Sequence, residues 1–394
     1  MTLPFLGYGR QSIAQQDIDA VVDVLRGNYL TQGPAVERFE AALAEYVGAR
    51  YAVAVANGTA ALHMACLAAG LRSGDHAITQ AITFVASANA AVYSGASVSA
   101  TDINPVTLGM DAASLQRRLA ERPDTSVVLP VHMAGLSAGL TEVATVAGNR
   151  TIIEDACHAL GGRDPDGAMV GSCSHSSMAC FSFHPVKSIT TGEGGAITTN
   201  DPELYRALRM LRSHGTERDP SLLVDQGQGF DGNEPNPWYY EQQVLGFNYR
   251  LNDLQAALGL SQLSRISQFI SRRREVAAYY DEALAASAHI SAVQSGDDAR
   301  QRSAHHLYIV AIDYDRIGKS RRHVMTELAK RGIGTQVHYI PVYRQPYHRD
   351  LGPASDFPAA DSYYRTCLSI PMHASLTEED AGRVVQALRE VADV

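Results

Sequence analysis

Two residues that could do chemistry together, an aspartate and a lysine, lie 32 positions apart (187 minus 155) in this sequence. Asp155 ends the apolar run TIIED, and Lys187 follows a second run, MACFSF, after the segment HPV. An isolated aspartate at a strand end is usually a helix cap or an ion-pair partner, and an isolated lysine is usually solvated. If the two runs are strands of one doubly wound sheet, however, both side chains fall at the edge where ligands bind.

An amine beside a buried carboxylate is the pair that pyridoxal phosphate requires. The aldehyde of this cofactor forms a Schiff base with a lysine, and a carboxylate keeps its pyridine nitrogen protonated, so that the ring can accept electrons from a carbanion. Lys187 and Asp155 suit these two roles. The polar, glycine-rich tract ITTGEGG at 189–195 would give the lysine a loop in which to move.

A candidate phosphate site follows the run at 51–56, where Asn57-Gly58-Thr59 leads directly into a helix rich in Ala, Leu and Met. Glycine permits a tight turn, and the start of a helix offers free backbone N–H groups to an anion. Many such turns use Gly and Thr only as caps, so the pattern alone leaves both interpretations open. Phe84, just past another strand end, could stack on a planar ring, although an aromatic residue there usually belongs to the core.

The elements that must position these residues are strands in alternation with helices. Runs rich in β-branched residues or alanine at 51–56, 77–79, 127–131, 151–154, 178–183 and 196–199 predict strands, with helices between them. Ser12 and Gln15 resemble a capping box ahead of an amphipathic run at 13–25, which predicts an N-terminal helix. The alternation indicates an α/β fold with a mainly parallel sheet covered on both faces.

The C-terminal part predicts a smaller α/β unit. A helical segment at 251–286 is followed by strand-like runs at 307–312 and 334–339 and by helices at 322–330 and 378–391. Because 394 residues exceed what one hydrophobic core usually serves, we expect two domains. These are a large ligand-binding domain at residues 1–250 and a small domain at residues 251–394.

The stretch at 219–237 is rich in Gly, Pro, Asp and Asn and is longer than an ordinary loop, which predicts a functional lid or a mobile insertion. Its segment GQGFDG, at 227–232, matches the G-x-G-x-x-G pattern of dinucleotide-binding turns. Because no strand is predicted before it and no helix after it, we interpret the match as a coincidence.

Composition excludes several classes of function. A net charge of -9 argues against general nucleic-acid binding, so a phosphate site must be built locally. The sequence shows neither a signal peptide nor a run apolar enough to span a bilayer, so we expect a cytoplasmic protein without membrane contact. The five cysteines are scattered and form no C-x-x-C pair, which argues against a disulfide framework and against a metal site.

The blocks around these residues resemble the sugar aminotransferases of the DegT/DnrJ/EryC1/StrS family, which belong to the fold-type-I enzymes that use pyridoxal phosphate. The resemblance covers nearly the whole chain, with further matching motifs at 29–34 (YLTQGP), 246–252 (GFNYRLN), 255–257 (QAA) and 337–339 (VHY). It implies a large domain with a mainly parallel, mixed sheet covered by helices, and a smaller C-terminal α/β domain.

The resemblance also implies roles for single residues. Lys187 would be the Schiff-base lysine and catalytic base, and Asp155 the catalytic partner of the pyridine nitrogen. His158 stands where many relatives place a glutamine near the phenolic oxygen of the cofactor, and an imidazole can donate a hydrogen bond there. The residues implied to bind the phosphate are Gly58, Thr59, Ser182 and, from the neighbouring subunit, Asn248. The candidates for the nucleotide-sugar pocket, each of which could equally be structural, are Tyr8, Tyr29, Thr31, Arg250, His338 and Tyr339.

Within the family, the segments at 154–161, 181–198 and 334–343 are similar to transaminases of pseudaminic acid biosynthesis. This similarity implies transfer of an amino group from L-glutamate to C4 of a UDP-linked 4-keto-6-deoxy amino sugar, by a homodimer with shared active sites. The lysine would remove the α-proton of the donor and return a proton to the cofactor, which requires a neutral amine. Because sugar and nucleotide depend on pocket shape, another nucleotide or amination at C3 stays open.

Three other functions fit parts of the pattern. Family dehydratases that remove a sugar hydroxyl carry histidine in place of the lysine, so Lys187 argues against dehydration. A lyase or aldolase that forms a Schiff base without a cofactor would have no use for Asp155 or the phosphate turn. A non-catalytic, pyridoxal-phosphate-binding regulatory protein could keep the fold, and a colour change with glutamate would distinguish an enzyme from it.

Overall fold

The computed structural model of the chain describes residues 4–392. Its helices are α1 Gln15–Arg26, α2 Pro34–Val47, α3 Gly58–Ala68, α4 Val85–Tyr93, α5 Ala112–Glu121, α6 Leu140–Ala147, α7 Pro202–Arg212, α8 Gln226–Gly229, α9 Asp253–Leu263, α10 Ile266–Leu284, α11 Asp297–Arg302, α12 Arg321–Lys330, α13 Pro358–Thr366 and α14 Glu378–Ala392. Its strands are β1 Tyr51–Val55, β2 His76–Gln80, β3 Ser97–Thr101, β4 Thr125–Leu129, β5 Thr151–Asp155, β6 Met178–Ser182, β7 Gly195–Thr199, β8 Thr216–Glu217, β9 Phe230–Asp231, β10 Glu234–Pro235, β11 Glu241–Gln242, β12 Ile290–Ala292, β13 Tyr308–Ile312 and β14 Cys367–Ile370.

The largest sheet has seven strands in the order β1-β7-β6-β5-β4-β2-β3. β7 runs antiparallel to both of its neighbours, and the other paired strands are parallel. The sheet is therefore mixed and mainly parallel, which confirms the predicted α/β fold class. The carboxyl ends of β1, β5 and β6 meet at one edge, and the tract between β6 and β7 returns to that edge.

Helices cover both faces of this sheet because successive side chains of a strand point to opposite sides. Ala54 of β1 packs in one core with Phe39 of α2, whereas Val53 packs in another core with Leu62 of α3. These four side chains are almost fully buried. Runs that are apolar on both faces, as in β1, are what a sheet covered on both sides requires.

A second, antiparallel sheet has the order β12-β13-β14, and α10, α12 and α14 contribute to its core. Leu6, near the N-terminus, belongs to the same core and forms a β-bridge with Ile333. In contrast, α9 packs on α1 and α2. Each core therefore contains segments from both sides of residue 250. The division into residues 1–250 and 251–394 stays a prediction.

The start of α1 differs from the predicted capping box. The helix begins at Gln15 after the cap residue Ala14, whose N–H donates to the carboxylate of Asp17 at 2.8 Å. The backbone carbonyl of Ser12 instead accepts a hydrogen bond from Gln262 at 2.9 Å. Ser12 is therefore used to attach the N-terminal segment to α9 rather than to cap α1.

Two C-terminal predictions were wrong. The segment predicted as one helix at 251–286 is two helices, α9 and α10, because the helix is interrupted after Leu263. The interruption allows α9 to pack on α1 while α10 packs in the core of the smaller sheet. The run at 334–339 is not a strand. The N–H of Gly334 pairs with Leu6 whereas Gln336 bridges Ser369, so the two ends of this run pair with different segments and no continuous ladder forms.

The stretch at 219–237 is folded into short elements, among them α8 and the paired β9 and β10. The GQGFDG segment spans the end of α8 and the turn after β9, and no strand leads directly into it. Within residues 4–392, no helix is both long and apolar enough to cross a membrane.

Candidate active site

A cavity of about 940 Å³ opens at the edge of the large sheet where β1, β5 and β6 end. Ten of the residues singled out from the sequence line this one cavity: Tyr8, Gly58, Thr59, Phe84, Asp155, His158, Ser182, Lys187, His338 and Tyr339. Segments far apart in the sequence, from Tyr8 to Tyr339, therefore meet around one space.

Four predicted residues do not line the cavity. Tyr29, Thr31 and Asn248 are exposed on the surface of the chain. Arg250 lines a separate groove of about 1310 Å³, whereas its neighbour Tyr249 lines the cavity. The backbone at these two residues is extended and pairs with the end of β1, so that their side chains point to opposite sides.

Lys187 is held by a turn in which its N–H donates to the carbonyl of His184 at 2.9 Å. Burial lowers the pKa of its amine below the ordinary lysine value, while Cys157 and Asp155 act in the opposite direction. A depressed pKa increases the fraction of neutral amine near neutral pH. Lys187 is therefore suited to attack a carbonyl carbon and to accept a proton.

Asp155 ends β5 and is 5% exposed. Its carboxylate accepts hydrogen bonds from the Ser87 hydroxyl at 2.5 Å and from the Cys157 N–H at 3.2 Å. Ser87 in turn lies 2.6 Å from the hydroxyl of Thr83, one turn earlier in the chain. These two hydroxyls were not identified from the sequence; their spacing of four residues at the start of a helix is the only local signal.

The predicted phosphate turn is a tightly packed helix start. The Asn57 side chain caps α3 by accepting from the N–H of Ala60 at 2.8 Å, and the N–H groups of Gly58 and Thr59 precede the first intrahelical bond. A Cβ on Gly58 would lie 2.9 Å from the Cβ of Ser182, which is closer than side chains approach. Glycine is therefore required for the backbone to lie against β6, where N–H groups and the Ser182 hydroxyl can surround an anion.

His158 follows Asp155 at the back of the cavity and is 6% exposed. Its Nδ1 accepts from the N–H of Ala134 at 3.3 Å, and its Nε2 lies 3.0 Å from the hydroxyl of Tyr339. Burial holds its pKa well below the ordinary histidine value, and the nearby Lys187 amine acts in the same direction. His158 is therefore neutral, with its hydrogen on Nε2.

His306 lines the same wall but was not singled out from the sequence. Its ring centroid is 4.3 Å from that of His158, and it is 3% exposed. The buried guanidinium of Arg273 donates to the carbonyls of His305 and His306 and fixes this segment. Two adjacent histidines before a predicted strand are the only signal that could have identified His306.

These groups fit pyridoxal phosphate. The cavity offers the Lys187 amine for an aldehyde, the Asp155 carboxylate for a pyridine nitrogen and the start of α3 for a phosphate. Phe84 is 54% exposed towards this space and can cover a planar ring. Across residues 4–392, no group of three or more His, Cys, Asp or Glu side chains is arranged to hold a metal ion.

Known proteins share this architecture over nearly the whole chain. The sequence model described as the DegT/DnrJ/EryC1/StrS aminotransferase family matches residues 11–389. Among solved structures, the chain is similar to Helicobacter pylori PseC, an aminotransferase involved in the biosynthesis of pseudoaminic acid, with a TM-score of 0.87, 29% identity and coverage of 98% of this chain and 99% of that one.

Two curated relatives extend the similarity. The spore coat polysaccharide biosynthesis protein SpsC of Bacillus subtilis is 36% identical, covering 98% of this chain and 97% of its own length. The UDP-4-amino-4,6-dideoxy-N-acetyl-β-L-altrosamine transaminase of Campylobacter jejuni is 34% identical with the same coverage.

Proposed function

The chain belongs to the DegT/DnrJ/EryC1/StrS aminotransferase family, as a sugar aminotransferase that uses pyridoxal phosphate, and we propose that it transfers an amino group from L-glutamate to C4 of a UDP-linked 4-keto-6-deoxy amino sugar. The observation that carries the proposal is that Lys187, Asp155 and the helix start at Gly58 meet in one cavity.

The bound cofactor supplies the electron sink that stabilises a carbanion during amino transfer. The residues of the chain then have separate tasks. Lys187 would hold the aldehyde of the cofactor and would carry the proton at the donor's α-carbon. Asp155, fixed by Ser87, would keep the pyridine nitrogen protonated, and the N–H groups at Gly58 and Thr59 would bind the phosphate together with Ser182.

Similarity to the Campylobacter transaminase and to PseC supports the choice of a UDP-linked 4-keto sugar. A second candidate is another nucleotide keto-sugar, aminated at C4 or at C3. The spore coat polysaccharide biosynthesis protein, which shares 36% identity with the chain, keeps this candidate open because its description names no particular sugar. The C-terminal segment 336–340 lines the cavity, and we expect its side chains to help determine which sugar is bound.

The test uses purified protein with pyridoxal phosphate. Glutamate alone should bleach the yellow absorbance. Each member of a panel of UDP- and dTDP-linked 3-keto and 4-keto sugars is then added, and only the true substrate should restore the absorbance. Product analysis by mass spectrometry and NMR then locates the new amine. Lys187→Ala should show neither yellow absorbance nor turnover. Activity only on a 3-keto sugar would overturn the C4 assignment, and yellow absorbance that persists with every amino donor would favour a regulatory protein.

We also propose that the active enzyme is a homodimer with shared active sites, in which Asn248 of one subunit reaches the phosphate in the other. Among the described residues that line the cavity, Lys187 is the only lysine or arginine. A substrate with a diphosphate therefore needs further partners, and neither Asn248 nor Arg250 lines the cavity of its own chain. Exposed apolar side chains nearby, at Trp238 and Leu245, would be covered in such a dimer.

Mixed dimers test this arrangement. Lys187→Ala and Asn248→Ala are each expected to be weakly active or inactive alone. After the two are mixed and allowed to exchange subunits, a mixed dimer has one site with both native residues, so activity should return. If each site used Asn248 of its own chain, mixing would restore nothing. Native mass spectrometry would verify that subunits exchange.

A further inference from the structure

The hydrogen bond between His158 and Tyr339 has a fixed direction. The N–H of Ala134 points at Nδ1 of His158, so that nitrogen carries no hydrogen, and the ring is neutral because of its burial. The hydrogen is therefore on Nε2, which lies 3.0 Å from the Tyr339 oxygen. His158 donates this bond, and the hydroxyl of Tyr339 accepts it.

A hydroxyl that accepts from one side must direct its own hydrogen elsewhere. Among residues 4–392, His158 is the hydrogen-bond partner found for the Tyr339 hydroxyl, and Tyr339 lines the cavity. Its ring lies 5.8 Å from that of Phe84, which flanks the same space. The hydrogen of this hydroxyl is therefore available to an oxygen atom bound in the cavity.

Tyr339 is fixed in this position through its neighbour His338, which contacts α13 and β14. The carbonyl of His338 accepts a hydrogen bond from the Tyr363 hydroxyl, and the ring of His338 bonds to the Ser369 hydroxyl at 2.8 Å. Lys187 lies close enough to lower the pKa of both His158 and His338. Tyr339, His158, His338 and Lys187 all line the same cavity, so the Tyr339 hydroxyl and the Lys187 amine border one space.

We propose that the Tyr339 hydroxyl donates a hydrogen bond to the ketone oxygen of the amine acceptor, and that His158 is a positioning residue that directs this hydrogen. The inference rests on the proposed amination of a keto-sugar. When an amine attacks a carbonyl carbon, the C=O electron pair moves to the oxygen, and a preorganised donor stabilises the developing charge. Burial raises the pKa of Tyr339, so the hydroxyl keeps its proton and acts only as a hydrogen-bond donor.

The two half-reactions separate this role from the rest of catalysis. Bleaching by glutamate depends on proton movement by Lys187 and precedes any change at an oxygen, whereas the return of colour with the keto-sugar requires attack on the ketone. Tyr339→Phe should therefore bleach at a rate within about threefold of the parent, but should regain colour about a hundredfold more slowly. Tyr343→Phe, which removes a hydroxyl from the same segment outside the cavity, is the matched control.

His158 provides a second, independent variant. His158→Leu should slow the return of colour about tenfold more than it slows bleaching, whereas His158→Gln, which retains an N–H donor, should bring the ratio of the two rates back towards that of the parent. Cofactor content and circular dichroism would verify that each variant is folded. Equal recovery rates in Tyr339→Phe and the parent would overturn the proposal. A parent that glutamate does not bleach would instead refute glutamate as the amino donor.

A direct readout does not depend on turnover. In the Lys187→Ala background, isotope-edited infrared spectroscopy should show the C=O stretch of the bound, 13C-labelled keto-sugar at lower frequency than in water-free solvent. The shift of the C=O frequency should become smaller when Tyr339→Phe is added, and it should be unchanged when Tyr343→Phe is added. A carbonyl frequency that does not respond to Tyr339→Phe would mean that the hydroxyl contacts another oxygen, and the proposal would be wrong.

Discussion

The hydroxyl of Ser87 donates to the carboxylate of Asp155 over 2.5 Å and links the first turn of α4 to the end of β5. Hydrogen bonds to charged groups contribute about 1.5–3 kcal/mol, and this one fixes the carboxylate that must face the pyridine nitrogen. Ser87→Ala should therefore lower kcat about tenfold while cofactor content stays unchanged. Steady-state kinetics with glutamate and the keto-sugar measures the change.

Ser94→Ala is the matched control for that prediction. It removes a hydroxyl at the other end of α4, where the side chain bonds only to the carbonyl of Ala90. If both variants lost activity equally, damage to the helix rather than release of Asp155 would be the cause.

Gly58→Ala should weaken cofactor binding about tenfold or more. The added methyl would meet the Cβ of Ser182 at 2.9 Å and Sγ of Cys157 at 3.3 Å, and overpacking of this kind costs about 1–3 kcal/mol. Titration of the apo protein with pyridoxal phosphate gives the dissociation constant. Gly227→Ala has only the Asp225 carboxylate near its new methyl, at 3.5 Å, and should bind like the parent.

The depressed pKa of Lys187 predicts how cofactor capture depends on pH. Only the neutral amine attacks the aldehyde, so the rate of yellow-colour formation by the apo protein should rise with pH and level off below the ordinary lysine pKa of 10.5. Because Asp155 raises the pKa of Lys187, Asp155→Asn should move the midpoint to still lower pH. N-acetyl-lysine methyl ester serves as the reference amine. A midpoint at or above that of the reference would contradict the prediction.

Buried neutral histidines predict loss of stability in acid. The pKa of His305 is lowered to about 4 and that of His338 to about 3, in both cases by burial, and His158 and His306 are also held well below 6.5. Below pH 6.5 the unfolded chain binds protons that the folded chain does not, so stability falls between pH 6.5 and about 4. Each histidine contributes up to about 1.4 kcal/mol per pH unit.

Denaturant unfolding between pH 7 and 5 measures that dependence, and His305→Asn isolates one histidine. His305 has φ of +48°, a conformation that asparagine also adopts, and it does not line the cavity. The variant should reduce the slope of stability against pH by about one proton. An unchanged slope would show that His305 is protonated in the folded chain.

Most strands of the large sheet could be predicted because buried strands are runs of apolar residues that can be recognised locally in the sequence. β1 and β5 are apolar on both faces and were predicted within one residue of their ends. β3, with the sequence SVSAT, was missed because its first three residues are not fully buried and carry no such pattern. The break between α9 and α10 was missed because it serves packing against α1, which no local signal records.

The site residues likewise divide into those with a local sequence signal and those whose position depends on the fold. Asp155, Lys187 and Gly58 stand out because each has a characteristic neighbourhood in the sequence. His306 and Ser87 were missed because their positions depend on chain segments that meet only in the fold. The contact between His158 and Tyr339 joins residues 181 positions apart, and the direction of its hydrogen bond depends on a third residue, Ala134.

The place of β7 in the sheet sets the order in which this enzyme can mature. β1 pairs with β7, so Val55 meets Gly195 only after 140 further residues (195 minus 55) have been synthesised. Until then Ser182 is not packed against the turn at Gly58, and the nascent chain lacks a complete phosphate site for the cofactor. Contacts of such long sequence separation form slowly. We therefore expect uptake of pyridoxal phosphate to be a late event in folding, which follows completion of the sheet.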